Sequence, residues 1–315
     1  MDNHHVAVVI PYFQKTAGIL SRAVRSALQQ RDFDDYHIVV VDDASPVPAR
    51  EELQAMIDAR PDKFAIIEKT NGGPGTARNT ALDSLPAHTP FVAFLDSDDE
   101  WTDTHLRNAI AALDKGYDCY FADHYQLGSG ETAFNKAHRL DLAEHEKLDG
   151  PGPVYGYTKD MFDQILMGNV IGTSTVVYRF HKFPLKRFRE RFRMAGEDYI
   201  FWLDLCTGGA RFAFSAQSEC TYGKGVNVYS GSGWGTDNYL DLLHDEIGYR
   251  KFILELFSLT KPQTRYLNRR ISGFRAAFVR GLIHELRRGN IGALTKLARL
   301  AAGRATKHRA RGSAP

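Results

Sequence analysis

Four short runs of β-branched and aromatic residues recur before residue 100, at Val6-Ala7-Val8-Val9-Ile10, His37-Ile38-Val39-Val40-Val41, Phe64-Ala65-Ile66-Ile67 and Phe91 to Leu95. Between the first two, Ile19, Leu20, Ala23, Val24, Ala27 and Leu28 recur at helical spacing, and Leu53, Met56 and Ile57 do so before the third. Strict alternation of strand and helix predicts an α/β fold with a doubly wound, mostly parallel, Rossmann-like sheet and right-handed crossovers. Such sheets bind ligands in the crevice at the carboxyl ends of their strands, so chemistry is expected in the residues that follow each run.

Those residues are polar or turn-forming in every case: Pro11-Tyr12-Phe13-Gln14, Asp42-Asp43-Ala44-Ser45, Asn71-Gly72-Gly73-Pro74-Gly75, and Asp96-Ser97-Asp98-Asp99-Glu100. Adjacent anions repel one another, and a hard divalent ion bridging to a diphosphate would compensate them. Capping of a helix that starts near Trp101-Thr102 is the structural alternative for Asp98 or Asp99. Gly72, Gly73 and Gly75 let the backbone approach a phosphate, and the helix-forming Thr76 to Leu82 would present free N–H groups to an anion. An ordinary Gly-Pro turn has the same sequence. Arg78, one turn further, suits a phosphate, a base edge or solvent. Asp43 can accept from a nucleobase N–H, with Pro11 and Tyr12 bracketing the base and the Tyr12 ring offering a stacking face. Capping of the helix after Pro46 is the alternative for Asp42, Asp43 or Ser45.

From about residue 116 the alternation loosens, with strand candidates at Asp118 to His124 and Thr175 to Arg179 and a polar, Gly-rich stretch from Leu127 to Gly156. Gly196-Glu197-Asp198-Tyr199 precedes a helical stretch, whose first turn favours acids through the helix dipole. Beyond Tyr239 the spacing predicts helices, and Arg304 to Pro315 reads as frayed and disordered. The formal charge of +2 conceals an asymmetry: residues 261–315 carry +13 and residues 1–260 carry −11. A basic amphipathic tail meets an anionic membrane face or forms a solvated layer. Nucleic acid is excluded as the expected partner, because a reading motif is lacking and the body is acidic. No run approaches the roughly 20 apolar residues of a membrane helix. Met1 to His5 leads into a strand without a signal-peptide pattern, so a cytoplasmic protein is expected. Cys119, Cys206 and Cys220 lack metal-ligand spacing and are expected to be buried small apolar residues.

In this order, the segments resemble the inverting glycosyltransferases of family 2, which have the GT-A fold, over roughly residues 6–240. The resemblance implies that Val8 to Tyr12, with Pro11 and Tyr12, lines the nucleotide and that Asp43 contacts uracil. It implies that Asn71 to Asn79, with Gly72, Gly73, Gly75 and Arg78, closes over the diphosphate, and that Asp96-Ser97-Asp98 is a DxD motif. Asp96 would touch ribose or metal-bound water and Asp98 would ligate Mg²⁺ or Mn²⁺, with Asp99 supporting both. Asp198 would be the catalytic base, taking a proton from the acceptor hydroxyl on the sugar face opposite the leaving group. Many GT-A enzymes complete the metal shell with a late His; His181 and His244 are candidates by position, and neither is assigned.

Pro11 to Lys15, Asn71 to Asn79, Phe94 to Asp99 and Gly225 to Thr236 look more specifically like the ExoW-type glucosyltransferases of succinoglycan assembly. That similarity implies UDP-glucose as donor, a polyprenyl-diphosphate-linked oligosaccharide as acceptor, a β-linkage, and peripheral association with the inner face of the cell membrane. Gly225 to Thr236 is either a lid with Trp234 on a sugar face or a flexible loop. The expected division is a GT-A domain over 1–240, with a nucleotide-sugar half at 1–115 and an acceptor-side half at 116–240, then a basic helical region over 241–315. Two readings compete: a nucleotidyltransferase making nucleotide sugars, which has no use for an acid poised at Asp198, and a non-catalytic sugar-nucleotide-binding protein, which needs no competent metal site.

Overall fold

In the computed structural model, which describes residues 5–126, 128–225 and 233–298, the four apolar runs become parallel strands. These are β1 (Val6–Tyr12), β2 (Tyr36–Asp42), β3 (Phe64–Glu68) and β4 (Phe91–Phe94). Val8 pairs with Ile38 on one side and Ala93 on the other, so β1 is central and all seven of its residues are buried. That is why its sequence is continuously apolar and does not alternate. Helices α1 (Ile19–Leu28), α2 (Ala49–Ala59) and α3 (Pro74–Ser84) make the crossovers. In α1 the buried Leu20, Ala23, Val24 and Ala27 form the expected stripe.

After β4 the chain turns over Asp96 to Asp99 into the short strand β5 (Glu100–Trp101), and α4 (His105–Leu113) starts only later. Asp98 and Asp99 therefore cap no helix at Trp101. The remaining elements of this unit are β6 (Cys119–Tyr125), α5 (Ala133–Ala137), β7 (Glu146–Lys147), β8 (Val154–Gly156), α6 (Met161–Gly168), β9 (Val177–Arg179), α7 (Glu197–Thr207) and β10 (Phe212–Thr221). The sheet order is β3-β2-β1-β4-β9-β6-β10-β8-β7, with β5 paired to β10. The first four strands are parallel, whereas β9 enters antiparallel between β4 and β6 and makes the second half mixed. Within the core, Glu219 is fully buried and accepts from Asn108 Nδ2 at 2.7 Å and Tyr120 Oη at 2.8 Å, with His105 Nδ1 at 2.9 Å. Cys119 and Cys220 are buried thiols and Cys206 is half-buried, as small apolar residues would be.

The chain divides into two compact units, Met1–Arg191 with Glu197–Val226, and Phe192–Gly196 with Asn227–Pro315. In the second, α8 (Tyr239–Leu256) packs on α9 (Lys261–Arg287) through Leu240, Leu243 and Ile247 against Ile271, Phe278 and Leu282. Thr260 and Gln263 form a reciprocal capping box at the start of α9. Trp234 is 55% exposed and touches Tyr239 and His284. Most of the Gly225 to Thr236 segment, read as a lid or a flexible loop, and the Arg304 to Pro315 tail lie outside the described residues. Among the described residues no helix is long and apolar enough to cross a membrane.

Candidate active site

The acid cluster sits in the turn after β4, and its shape is imposed by contacts from far along the chain. Ser174 Oγ accepts from the Asp96 N–H at 3.0 Å and donates to Asp99 Oδ2 at 2.5 Å. The Gly223 N–H donates to Asp99 Oδ1 at 3.0 Å. A Cβ on Gly223 would stand 1.7 Å from the Asp98 carbonyl oxygen, and one on Gly225 would stand 2.5 Å from the Asp98 carboxylate, so glycine is required at both places for the strand end to close on the acids. Burial and the charge of Asp96 push Asp98 up to about 6; burial, with Asp96 and then Asp98, pushes Asp99 up to about 8.

The two acids after β2 divide their labour. Asp42 accepts from the N–H groups of Ser45 and Ala49 at 2.7 and 2.8 Å, which makes it the anchor of α2. Asp43 is 2% exposed and accepts from the N–H groups of Gly72 and Gly73 and from Lys69 Nζ at 2.7 to 3.1 Å. It thereby ties the β2 loop to the glycine loop. Gly73 has φ +94°, in the left-handed region, and Pro74 opens α3. Gly72 is set tightly against Thr76 and Lys69, whereas a Cβ on Gly75 would meet Glu197 at an ordinary contact distance of 3.5 Å.

Two expectations need correction. Tyr12 is 1% exposed with its hydroxyl on Glu52 Oε2 at 3.1 Å, because β1 continues through Tyr12 in register with Asp42; its ring offers no open stacking face. Pro11 is likewise a buried strand residue, and Phe13, half-buried, is the ring of this loop left partly open. Arg78 is 3% exposed and does not reach outward for a phosphate; Nη2 donates to Asp96 Oδ1 at 2.5 Å, and Nη1 lies 3.5 Å from Glu197 Oε1.

Glu197 and Asp198 open α7, whose Phe201 and Trp202 pack on Phe94 of β4 and so bring the helix start to the strand end. Burial, then the neighbouring Asp198, pushes Glu197 up to about 8, and burial raises Asp198 against the pull of Arg78. Asp198 Oδ1 accepts from the Tyr199 N–H at 2.7 Å and Oδ2 lies 3.4 Å from Thr173 Oγ1. The charge of Asp96 reaches Asp198 as well. Asp96, Asp98, Asp99, Arg78, Glu197 and Asp198 thus form one electrostatic cluster, and the turn Thr173–Thr175 touches both of its ends. Sequence reasoning missed Lys69, Thr173 and Ser174; the Gly172-Thr173-Ser174-Thr175 run before β9 was the signal for the last two.

Among the described residues no three His, Cys, Asp or Glu side chains converge to enclose a metal unaided. The chemistry of the pair Asp96 and Asp98 fits a hard cation completed by diphosphate oxygens and water, since both offer carboxylate oxygens and their mutual repulsion calls for a positive charge. Of the two histidine candidates, His181 Nδ1 faces the Pro90 carbonyl at the opposite end of β4, and His244 lies in the second unit beside Asp245.

Residues 7–183 match the model of glycosyl transferase family 2. The succinoglycan biosynthesis protein ExoW of Rhizobium meliloti is 34% identical over 71% of this chain and 70% of its own. The UDP-Glc:alpha-D-GlcNAc-diphosphoundecaprenol beta-1,3-glucosyltransferase WfgD of Escherichia coli is 27% identical over 65% of this chain and 71% of its own. Among solved structures, the mannosyltransferase PcManGT of Pyrobaculum calidifontis, in complex with GDP-Man and Mn²⁺, has a TM-score of 0.57 at 16% identity, covering 94% of this chain and 79% of that one. S. aureus TarS 1–349 in complex with UDP-GlcNAc has a TM-score of 0.54 at 19% identity, covering 92% and 89%. These likenesses carry the fold, and the family match carries the rest: the chain belongs to glycosyltransferase family 2 and is a glycosyltransferase with the GT-A fold.

Proposed function

We propose that this glycosyltransferase moves glucose from UDP-glucose, with inversion, onto a hydroxyl of a polyprenyl-diphosphate-linked oligosaccharide in the assembly of a succinoglycan-like exopolysaccharide. The observation that carries the reading is the pairing, in one cluster, of a DxD turn with a half-buried carboxylate at Asp198 whose proton affinity desolvation has raised. Inversion of an α-linked donor needs one base on the acceptor side and no covalent sugar on the enzyme. Asp198, oriented by Thr173 and by the Tyr199 N–H, takes the proton of the acceptor hydroxyl as its oxygen attacks the anomeric carbon. The new bond is β, and UDP leaves.

Asp43 and the Gly72 to Gly75 loop hold the uracil and diphosphate side of the donor, and Asp96, braced by Arg78, faces the ribose. A divalent Mg²⁺ or Mn²⁺ held by Asp96 and Asp98 would supply charge neutralisation for the departing diphosphate. The lipid carrier sets the work at the inner face of a membrane, with the basic C-terminal region toward the anionic surface.

Support for donor and acceptor comes from WfgD, whose name gives UDP-Glc as donor and a diphosphoundecaprenol-linked sugar as acceptor. The deciding experiment supplies lipid-linked acceptor with UDP-glucose, UDP-galactose or UDP-N-acetylglucosamine, reads UDP release, and assigns the product anomer by NMR. UDP-glucose should be preferred with a β-product; an α-product overturns inversion, and preference for another sugar overturns the donor.

A further inference from the structure

Of the large apolar side chains exposed among the described residues, Val279, Ile283, Leu286, Ile291, Leu294 and Leu297 are crowded into the end of α9 and the segment after it, at 52, 44, 37, 71, 44 and 39%. At about 100° per residue, Val279, Ile283 and Leu286 fall within about 60° of one another on α9. Ile271, Phe278 and Leu282, which face α8, lie on one flank of that stripe. On its other flank, about 80–100° from Val279, come the exposed Arg269, Arg280 and Arg287. The acid in this stretch, Glu285, is largely covered, with Asn290 donating to it and Arg288 beside it. The helix therefore carries three stripes: one for its own unit, one apolar and open, one basic and open.

We infer that this apolar stripe, with Ile291, Leu294 and Leu297, inserts into the headgroup boundary of an anionic bilayer, the arginine stripe resting on the lipid phosphates. Charge chooses the occupant. A second copy of the chain would bring arginine against arginine, and the chain after residue 298 has Arg299, Arg304, Lys307, Arg309 and Arg311 and no acid, so it is repelled as well. An anionic lipid surface matches both stripes at once. Insertion differs from surface attraction alone: the apolar contribution is not screened by salt, so a fraction of binding survives at ionic strengths that erase the electrostatic part. The inference rests on the proposed function for the membrane as workplace, but vesicle binding needs neither donor nor acceptor, so failure of either reading is seen separately.

The test is flotation of the full chain with vesicles of phosphatidylcholine, alone or mixed with phosphatidylglycerol, at low salt and at about 1 M salt, where the Debye length is about 3 Å. Strong binding to mixed vesicles at low salt and a residual fraction at high salt are expected. Val279→Asp with Ile283→Asp should lower the partition coefficient about tenfold or more and remove the salt-resistant fraction. Arg280→Glu with Arg287→Glu should remove the preference for phosphatidylglycerol and leave the salt-resistant fraction. Thermal melts of each variant establish that the fold is kept, since all four side chains are exposed. Wild-type vesicle binding by Val279→Asp/Ile283→Asp overturns the inference. So does a change in that variant from dimer to monomer in sedimentation, without change in lipid binding, which would make the stripe an interface between copies.

Discussion

Arg78 Nη2 stands 2.5 Å from Asp96 Oδ1, the guanidinium 4% exposed and the carboxylate side chain 34%. The arginine neutralises the first acid of the DxD turn from the protein side, while the open side of that acid remains for ligand. Arg78→Ala leaves Asp96 and Glu197 without their cation, and because Asp96 keeps some solvent the loss is expected at roughly 2–4 kcal/mol. Urea unfolding measures it, and an unchanged midpoint refutes it. Arg78→Lys, which keeps the charge but not a fork reaching two acids, should fall between the two.

Asp198→Asn should lower transfer by about 10²–10⁴-fold, the usual worth of a general base, with donor affinity nearly unchanged. Single-turnover rates and calorimetric titration with UDP-glucose separate the two quantities. Collapse of donor affinity along with rate would make Asp198 a binding residue.

Asp98→Asn removes the carboxylate charge that the proposed function sets against the diphosphate, without changing shape. UDP-glucose binding should weaken and turnover fall by about 10²-fold or more. Wild-type enzyme should also lose activity in excess EDTA and regain it with Mg²⁺ or Mn²⁺. Full activity in EDTA would end the metal-dependent reading.

His37 is stacked on His5 at 4.7 Å between ring centroids, and burial, followed by the His5 charge, lowers it from 6.5 to about 4. The unfolded chain takes up the proton near 6.5, before the folded one does. Stability from this group is therefore complete above pH 6.5 and is lost as pH falls from 6.5 toward 4. Melting temperatures of wild type and His37→Gln compared across that window should show a shallower fall for the variant; parallel curves would discard the assignment.

Glu219→Ala strands the buried His105, Asn108 and Tyr120, at an expected cost of about 3–5 kcal/mol. Chemical denaturation reads the cost directly. A loss below about 1 kcal/mol would mean that the three donors find other partners.

β1, β2 and β4 and the loops at their carboxyl ends were legible because burial on both faces writes continuous apolar runs, and the polar residues after each run mark where burial stops; β3, half-buried at the sheet edge, was legible from its short β-branched and aromatic run. Asp96, Asp98 and Asp198 stood out because acids directly after an apolar strand, or at a helix start, are locally conspicuous. Ser174 and Thr173 were not conspicuous. Their partners lie 78, 75 and 25 residues away, and a short polar run reads locally as any loop does. Tyr12 misled for a related reason: Pro11 suggested that the strand had ended, whereas pairing with Val41 and Asp42 carries it two residues further and seals the ring. Arg78 read as a phosphate, base-edge or solvent residue because its two acidic partners come from another strand end and another helix.

The antiparallel entry of β9 has a consequence for biogenesis. β4 pairs with β1 on one side, and its other side is completed by Val177, Tyr178 and Arg179, some eighty residues later in synthesis. A nascent chain that has emerged only through β4 presents Phe91 to Phe94 as an unpaired apolar edge, the kind of edge on which other chains add strands. This long-range closure raises contact order and slows the last stage of folding. Chains truncated before residue 177 are therefore expected to aggregate, and β9, three residues long, is the latch whose arrival covers the open edge of the parallel strands.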